Sequence, residues 1–117
     1  MYLDSDNASS PVWRKAVGTI TMLAAGTVEV TTTLPLNGII GTLVLDLPDS
    51  TNGVTCTVEV RDEDDYILYS AAALADDTTH VKTGVDILVA GAVTIGLTAS
   101  GAPGGTSWIG TVALYGV

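Results

Sequence analysis

Apolar and polar residues alternate with a period of two along most of this 117-residue chain. The stretch GVTCTVEVR shows the pattern clearly, because every second position is apolar: Val54, Cys56, Val58 and Val60. Such alternation is typical of a strand with one buried face. An acidic turn at residues 61–65 and the apolar run YILYS follow at once. Residues 54–70 are therefore predicted to form a β-hairpin.

Six further segments show strand patterns and are separated by residues that favour turns. They are residues 16–23, 27–34, 39–47, 78–83, 93–99 and 107–115. The segment 39–47 is apolar on both sides, which indicates a central strand. About eight strands at this spacing predict an all-β fold, an antiparallel β-sandwich that is jelly-roll-like or immunoglobulin-like. The only helix candidate, residues 70–77, is alanine-rich but too short to be stable alone.

The length of the chain predicts one domain, which we assign to residues 13–117. Residues 1–12 lack a core pattern and include Pro11, so we expect a flexible N-terminal arm that orders against a neighbour.

The formal net charge is -9, with only four Lys and Arg residues. Nucleic acid is therefore not an expected partner, because a polyanion is repelled at long range. No apolar run is long enough for a membrane helix, and the acidic N-terminal segment does not resemble a signal peptide. The single cysteine fits a reducing compartment, so we expect synthesis and use without export.

The glycine-rich stretch SGAPGGTSWIG, from residue 100, invites two catalytic or binding interpretations. A phosphate-binding loop requires a lysine after its last glycine and a helix behind it, and this stretch has neither. A nucleophile elbow requires G-x-S-x-G before a helix, and the spacing here differs by one residue. We therefore predict that residues 101–105 form a turn, with glycines at positive φ, between strands 93–99 and 107–115.

Few residues suit catalysis, so we predict that the chain is not an enzyme and needs no cofactor. His80 is the only histidine and lies in a polar series that we interpret as a solvated strand face. Cys56 lies on an apolar strand face, which indicates a buried, inert thiol.

The acidic turn offers the one candidate metal site, in which Asp62, Asp64 and Asp65 would bind Ca²⁺. Tyr66 follows where a calcium loop would supply another oxygen ligand, so a solvated hairpin turn is the preferred interpretation. Asp76 and Asp77 would complete a calcium site only if their loop folded alongside.

Few lysines protect the predicted sheet edges, which favours assembly with another chain. The candidate interface residues are Trp13, Arg14, Trp108 and Tyr115. The two tryptophans would alternatively form a platform for stacking sugars, although packing in a core or an interface is the preferred use.

Three stretches, VEVRDEDDYILYSAAAL, DDTTHVKT and AGAVTIGLTASGAPGGTSWIGTVALY, follow one another within residues 19–115. In this order the chain resembles small virion proteins of tailed bacteriophages. It departs from their usual turn at Asp65, where a glycine is common. The resemblance implies a capsid decoration (cement) protein, or a related minor head or tail component, without catalytic residues.

A protein of that group would be made in the host cytoplasm and would bind the major capsid protein on the outer surface of the head. Trimers are the oligomeric state that the resemblance favours. The alternative function is a receptor- or carbohydrate-binding module of a phage tail or fibre, which would use Trp13, Trp108 and the acidic turn with Ca²⁺.

Overall fold

The computed structural model describes residues 15–24, 29–105 and 108–116, so the predicted arm at residues 1–12 lies outside the described residues. The described residues form eight strands: β1 (Lys15–Met22), β2 (Val30–Pro35), β3 (Gly38–Leu47), β4 (Thr55–Arg61), β5 (Ile67–Ala75), β6 (Thr78–Val89), β7 (Ala92–Ala99) and β8 (Trp108–Gly116). The predicted all-β fold is confirmed. None of the described residues forms a helix that is long and apolar enough to span a membrane.

The strands form two antiparallel four-stranded sheets with the orders β1-β8-β3-β6 and β2-β7-β4-β5. Only β4 and β5 are neighbours both along the chain and within a sheet, because every other connection crosses between the sheets. This arrangement is that of a jelly roll. An immunoglobulin fold would pair several successive strands, so that alternative is not observed.

The core lies between the two sheets and receives alternate residues from each strand. Its largest fully buried side chains are Ile20, Met22, Ile40, Leu43, Leu45, Leu47, Val58, Val60, Val93, Ile95, Leu97 and Leu114. Burying one such side chain contributes about 1.5–3 kcal/mol of transfer free energy. The period of two predicted from the sequence therefore determines which side of each strand the opposite sheet covers.

The helix candidate at residues 70–77 is wrong, because β5 continues as a strand to Ala75. Pairing with β4 places Tyr69, Ala71 and Leu74 towards the core. The interval between Ala71 and Leu74 contains an irregularity at which Ala73 adopts a φ of 57°. Burial against the core thus overrides the helix propensity of the alanines.

β6 is longer than the predicted strand at residues 78–83, and its polar series does not lie on the outer face. His80 pairs with Leu45, and Lys82 pairs with Leu43, so both occupy the side of β6 that faces the opposite sheet. Both residues are only half-buried, because β6 is an edge strand. His80 Nε2 lies 2.8 Å from the carbonyl oxygen of Ala75 on β5. An inward-pointing charged residue such as Lys82 discourages pairing at a sheet edge.

The glycine-rich loop contains the predicted positive φ angles, at Gly104 (82°) and Gly105 (69°). Since β7 and β8 belong to different sheets, the loop carries the chain across the sandwich and does not join paired strands. Asn52 N donates a hydrogen bond to Pro103 O at 3.0 Å, and Gly104 N donates to Ala24 O at 2.8 Å. These bonds attach the loop to its neighbours at one end of the jelly roll.

A buried serine organises the same end of the molecule. Ser50 is 6% exposed; its hydroxyl donates to Asp76 Oδ2 at 2.6 Å and accepts from Val54 N at 3.0 Å. Ser50 N also donates to Asp76 Oδ2 at 2.9 Å. These hydrogen bonds from Ser50, first from its side chain and then from its backbone, lower the pKa of Asp76.

Replacing Leu97 with Ala should lower the free energy of unfolding by about 2–5 kcal/mol, because a fully buried side chain is lost and a cavity remains. Leu23→Ala is the matched control, since Leu23 is 69% exposed, and it should change stability by less than about 0.5 kcal/mol. Urea unfolding measures both. Equal losses in the two variants would contradict the assigned core.

Asp76→Asn should destabilise the protein at neutral pH, because it weakens the acceptor of two hydrogen bonds from Ser50. A carboxylate whose pKa is lowered by folding stabilises the native state above its ordinary pKa of 3.8, and this contribution disappears as the pH falls through the native pKa. The difference in melting temperature between the two proteins should therefore narrow below about pH 4. Asp77→Asn controls for the charge change, and a difference independent of pH would contradict this account.

Candidate functional site

The outer face of the β2-β7-β4-β5 sheet carries hydroxyl and charged side chains. Cross-strand pairing arranges them in two adjacent rows: Thr33, Thr94, Arg61 and Ile67 in the first, and Thr31, Gly96, Glu59 and Ser70 in the second. Thr98 and Thr57 pair beyond the second row. Each lies on the side opposite the buried residues of its strand, so the pleat that builds the core also exposes this face.

Arg61 holds together a cluster of charges on this face. Its Nη1 donates to Glu29 Oε1 at 3.0 Å, and its Nη2 donates to Glu29 Oε2 at 2.6 Å. Nη2 also donates to Glu59 Oε1, and Nε lies 3.7 Å from Asp65 Oδ1. The paired bonds between guanidinium and carboxylate fix the orientation of both planar groups.

The Arg61 cluster is only partly accessible. The side chains of Arg61, Glu29 and Glu59 are 15%, 29% and 26% exposed. The hydrogen bond to Glu29 is the main cause of a raised pKa of Arg61, so the guanidinium keeps its charge. A guanidinium has five N–H donors, and the bonds to the two glutamates engage three of them. The cluster therefore retains both donors and acceptors for another molecule.

Gly96 makes room for this arrangement. It lies in the middle of β7 between Thr31 and Glu59, and a Cβ at this position would overlap the carboxylate of Glu29. The carboxylate therefore lies directly against the backbone of the sheet. The need for a glycine here comes from this close approach and not from an unusual φ angle.

Apolar side chains border the Arg61 cluster on the β5 side. Ile67 pairs with Arg61 and is 56% exposed, while the preceding residue, Tyr66, is 69% exposed. Leu68 is exposed as well. The exposed aliphatic side chain of Ile67 therefore lies beside the polar groups of the cluster, which makes this part of the face amphipathic.

The acidic turn does not assemble the proposed calcium site. Asp62 Oδ1 accepts hydrogen bonds from Asp64 N and Tyr66 N, both at 2.9 Å, so its carboxylate closes the turn. Asp65 adopts a φ of 68° and its carboxylate lies near Arg61. Asp76 is bonded to Ser50 and does not join them. Within the described parts of the chain, no group of three or more His, Cys, Asp or Glu side chains is placed to hold a metal ion.

A shallow cavity of about 320 Å³ lies beside the acidic turn. Its lining residues are Asp62, Glu63, Asp64, Leu88 and Ala90. The Glu63 carboxylate lies against Gly91, which adopts a φ of 92°. The cavity is thus a gap between two neighbouring turns, with acidic walls and one apolar side.

The structure places the predicted interface residues in different environments. Trp13 and Arg14 lie outside the described residues. Trp108 is 4% exposed, packs in the core and donates a hydrogen bond from Nε1 to Pro48 O at 2.8 Å, so it offers no ring to a partner or a sugar. Tyr115 remains exposed on β8, with Lys15 Nζ 5.5 Å from the centre of its ring.

The structure separates the two residues considered for catalysis. Cys56 is buried on β4, as predicted; burial, followed by the charge of Asp76, raises the pKa of its thiol to about 11. His80 lies on β6, in the other sheet, with its ring near Ala75 O. The serine of the glycine-rich stretch, Ser107, lies outside the described residues. Because the pKa of the Cys56 thiol is raised, the thiol remains protonated at neutral pH and is a poor nucleophile.

Comparisons with known proteins identify the fold. No family model matches the chain, and no curated protein matches it in sequence. Among solved structures it is similar to TmCBM61 in complex with β-1,4-galactotriose, with a TM-score of 0.54, 13% identity, and coverage of 85% of this chain and 69% of that one. The Yersinia pseudotuberculosis-derived mitogen gives a TM-score of 0.50 and 12% identity, covering 86% of this chain and 84% of that one.

The GH26-CBM35 β-(1,4)-mannanase of Podospora anserina is also similar, with a TM-score of 0.50 and 9% identity. The match covers 89% of this chain but only 28% of that one. At such low identity, these similarities support the β-sandwich fold and carry no residue roles to this chain.

Sequence reasoning missed the Arg61 cluster. The pattern places Arg61 with Glu59 on the polar face of one strand, at the start of the acidic turn, and Glu29 at a polar position of another strand, with no contact between them predicted. The available signal was the alternation itself, which places Glu59 and Arg61 on the outer side of β4. The contact with Glu29 depends on β7 lying between β2 and β4, and alternation carries no information about strand order.

Trp108→Phe should lower the free energy of unfolding by about 1–3 kcal/mol, because Pro48 O loses its buried hydrogen-bond donor. Tyr115→Phe is the control and should change stability by less than about 0.5 kcal/mol, since Tyr115 is exposed. Thermal unfolding measures both. A Trp108→Phe variant with unchanged stability would contradict the core assignment.

Proposed function

We propose that this chain is a non-catalytic carbohydrate-binding module and that the outer face of β2-β7-β4-β5 binds the sugar. The observation that carries the proposal is the pre-oriented Arg61 cluster, with threonine hydroxyls and the exposed Ile67 side chain beside it in the same row. Binding sites combine a few fixed polar groups with apolar contact surface, and this face supplies both.

The chemistry of the face suits a saccharide. Vicinal hydroxyl groups of a sugar both donate and accept hydrogen bonds, and Arg61, Glu29 and Glu59 offer partners of both kinds in fixed planes. Thr33 and Thr94, whose hydroxyl oxygens lie 3.1 Å apart, add neutral partners in the same row. The apolar face of a sugar ring would lie against Tyr66 or Ile67. A shallow, open face fits an oligosaccharide better than a small buried substrate.

This proposal differs from the carbohydrate alternative expected from the sequence, which relied on two tryptophans and bound calcium. Trp108 is part of the core, and the carboxylate of Asp62 closes its own turn. The similarity in fold to TmCBM61 is consistent with a sugar-binding role. The assignment of residues depends only on the chemistry of this chain.

Isothermal titration with β-1,4-linked oligosaccharides, including β-1,4-galactotriose, chosen after a glycan array, tests the proposal. Binding should be saturable, and Arg61→Leu should weaken it by about 10- to 100-fold, the effect of losing charge-assisted hydrogen bonds. Gly96→Ala should also weaken binding, because its methyl group displaces Glu29 without removing a polar side chain.

Lys82→Leu is the matched control, since it removes the same charge from the other sheet and should leave affinity unchanged. Circular dichroism and melting temperature establish that each variant is folded. No binding to any glycan, or sugar binding that survives Arg61→Leu in a folded protein, would refute the proposal.

A virion structural role, with the major capsid protein as partner on the outside of a phage head, is the second candidate. The observation that favours it is the outer face of the β1-β8-β3-β6 sheet, where valine, alanine and threonine positions predominate and Lys15 and Asp46 supply one charge of each sign. Such a face suits packing against protein. Adding the protein to undecorated phage shells should raise their resistance to heat through many weak contacts. Absence of shell binding would reject this role.

A further inference from the structure

The outer face of the β1-β8-β3-β6 sheet carries an apolar row across all four strands. Strand pairing aligns Val17, Ala113, Val44 and Val81 in that order. Val17 and Val81, at the two sheet edges, are 50% and 58% exposed. Ala113, at the centre of the row, is 8% exposed and is not part of the core cluster. The row is therefore an apolar surface on the outside of the sandwich.

Rows of polar residues lie on both sides of this apolar row. One contains Lys15, Tyr115, Thr42 and Thr83, and the other contains Thr19, Thr111, Asp46 and Thr79. These twelve positions form the central face. Their only ionisable groups that are charged at neutral pH are one cation, Lys15, and one anion, Asp46. The central face is thus formally neutral on a chain whose net charge is -9.

We infer that the central face pairs with the same face of a second copy of this chain. Charge selects this face, because contacts through the acidic turns would bring carboxylates of two acidic molecules together. An apolar row between two rows rich in threonine is also complementary to its own rotated copy. A two-fold axis parallel to the strands places Val17 opposite Val81 of the second copy and Ala113 opposite Val44.

A two-fold axis across the strands instead places each valine of the apolar row opposite its equivalent. With this second axis, Asp46 faces Thr42 of the second copy. With the axis parallel to the strands, Asp46 faces Thr111 of the second copy. Neither arrangement opposes two like charges. Such a contact is isologous and closes with two copies, unlike the trimers that the resemblance favoured.

The size of the central face determines how tightly the copies should associate. Twelve outward positions, each covering about 4.8 Å by about 6.8 Å of sheet, give about 400 Å² per copy, or about 800 Å² in the pair. That area is below the range of stable, specific interfaces and corresponds to a weak, transient one. We therefore expect a reversible dimer that forms between about 0.1 and 1 mM. Both Arg61 clusters would remain exposed, on opposite sides of the dimer.

Sedimentation velocity over that concentration range tests the inference. The wild-type mass should rise from one chain to two, and Val81→Asp should shift the midpoint at least about tenfold or abolish the dimer, because it buries an unpaired charge. Thr33→Asp is the matched control: it adds the same charge to the outer face of the other sheet and should leave the dimer intact. Val17→Asp provides a second variant if Val81→Asp does not fold.

Disulfide cross-linking through one introduced cysteine distinguishes this dimer from other assemblies. The native Cys56 does not interfere, because its thiol is buried and protonated. Val17→Cys mixed with Val81→Cys should cross-link between the two variants for an axis parallel to the strands, whereas Val17→Cys should cross-link with itself for an axis across them. A wild-type chain that stays monomeric throughout the range would overturn the inference and leave the face to an unlike partner. A dimer that tolerates both Val81→Asp and Val17→Asp in folded proteins would also overturn it.

Discussion

The packing of one sheet against the other is the constraint on which the rest of the structure depends. Each strand has only two sides, and burial of alternate residues assigns one of them to the core. The residues on the other side do not pack in the core. A one-residue change in register would exchange the two sides, so the core also fixes which residues the molecule presents to its surroundings.

The two outer faces that result are chemically different. One displays Arg61, Glu29 and Glu59 among threonines, whereas the other displays a row of valines and one alanine between threonines. The acidic turns lie at the ends of strands, where carboxylates remain in water. A jelly roll with two unlike faces can bind a ligand on one and a protein on the other without a deep pocket.

Alternation predicted most strands because burial and period are directly linked in an amphipathic sheet. It also predicted the hairpin of β4 and β5, where sequence neighbours are sheet neighbours. It gave no strand prediction for residues 71–77, where alanines have no strong strand preference and tertiary packing decided the conformation. It could not predict strand order, since strands with the same alternating pattern are interchangeable by pattern alone.

The Arg61 cluster could not be predicted from the sequence for the same reason. Glu29 meets Arg61 only because β7 lies between their strands and Gly96 leaves room for the carboxylate. Trp108 is a second residue that the sequence could not place. Its residue type favours a binding surface, but whether its ring is buried depends on how β8 packs and on the hydrogen bond to Pro48 O. The resemblance to phage virion proteins predicts a biological role, but it does not predict which surface of the molecule binds a partner.

Backbone NMR during titration with a β-1,4-linked oligosaccharide tests the central claim most directly, because it identifies the binding face residue by residue. Our account predicts that the amide signals of Thr94, Gly96, Glu59 and Arg61 shift together and saturate, while those of the valine row on the other sheet do not. Shifts confined to the acidic turn and Leu88, or no shifts at saturating sugar, would contradict it.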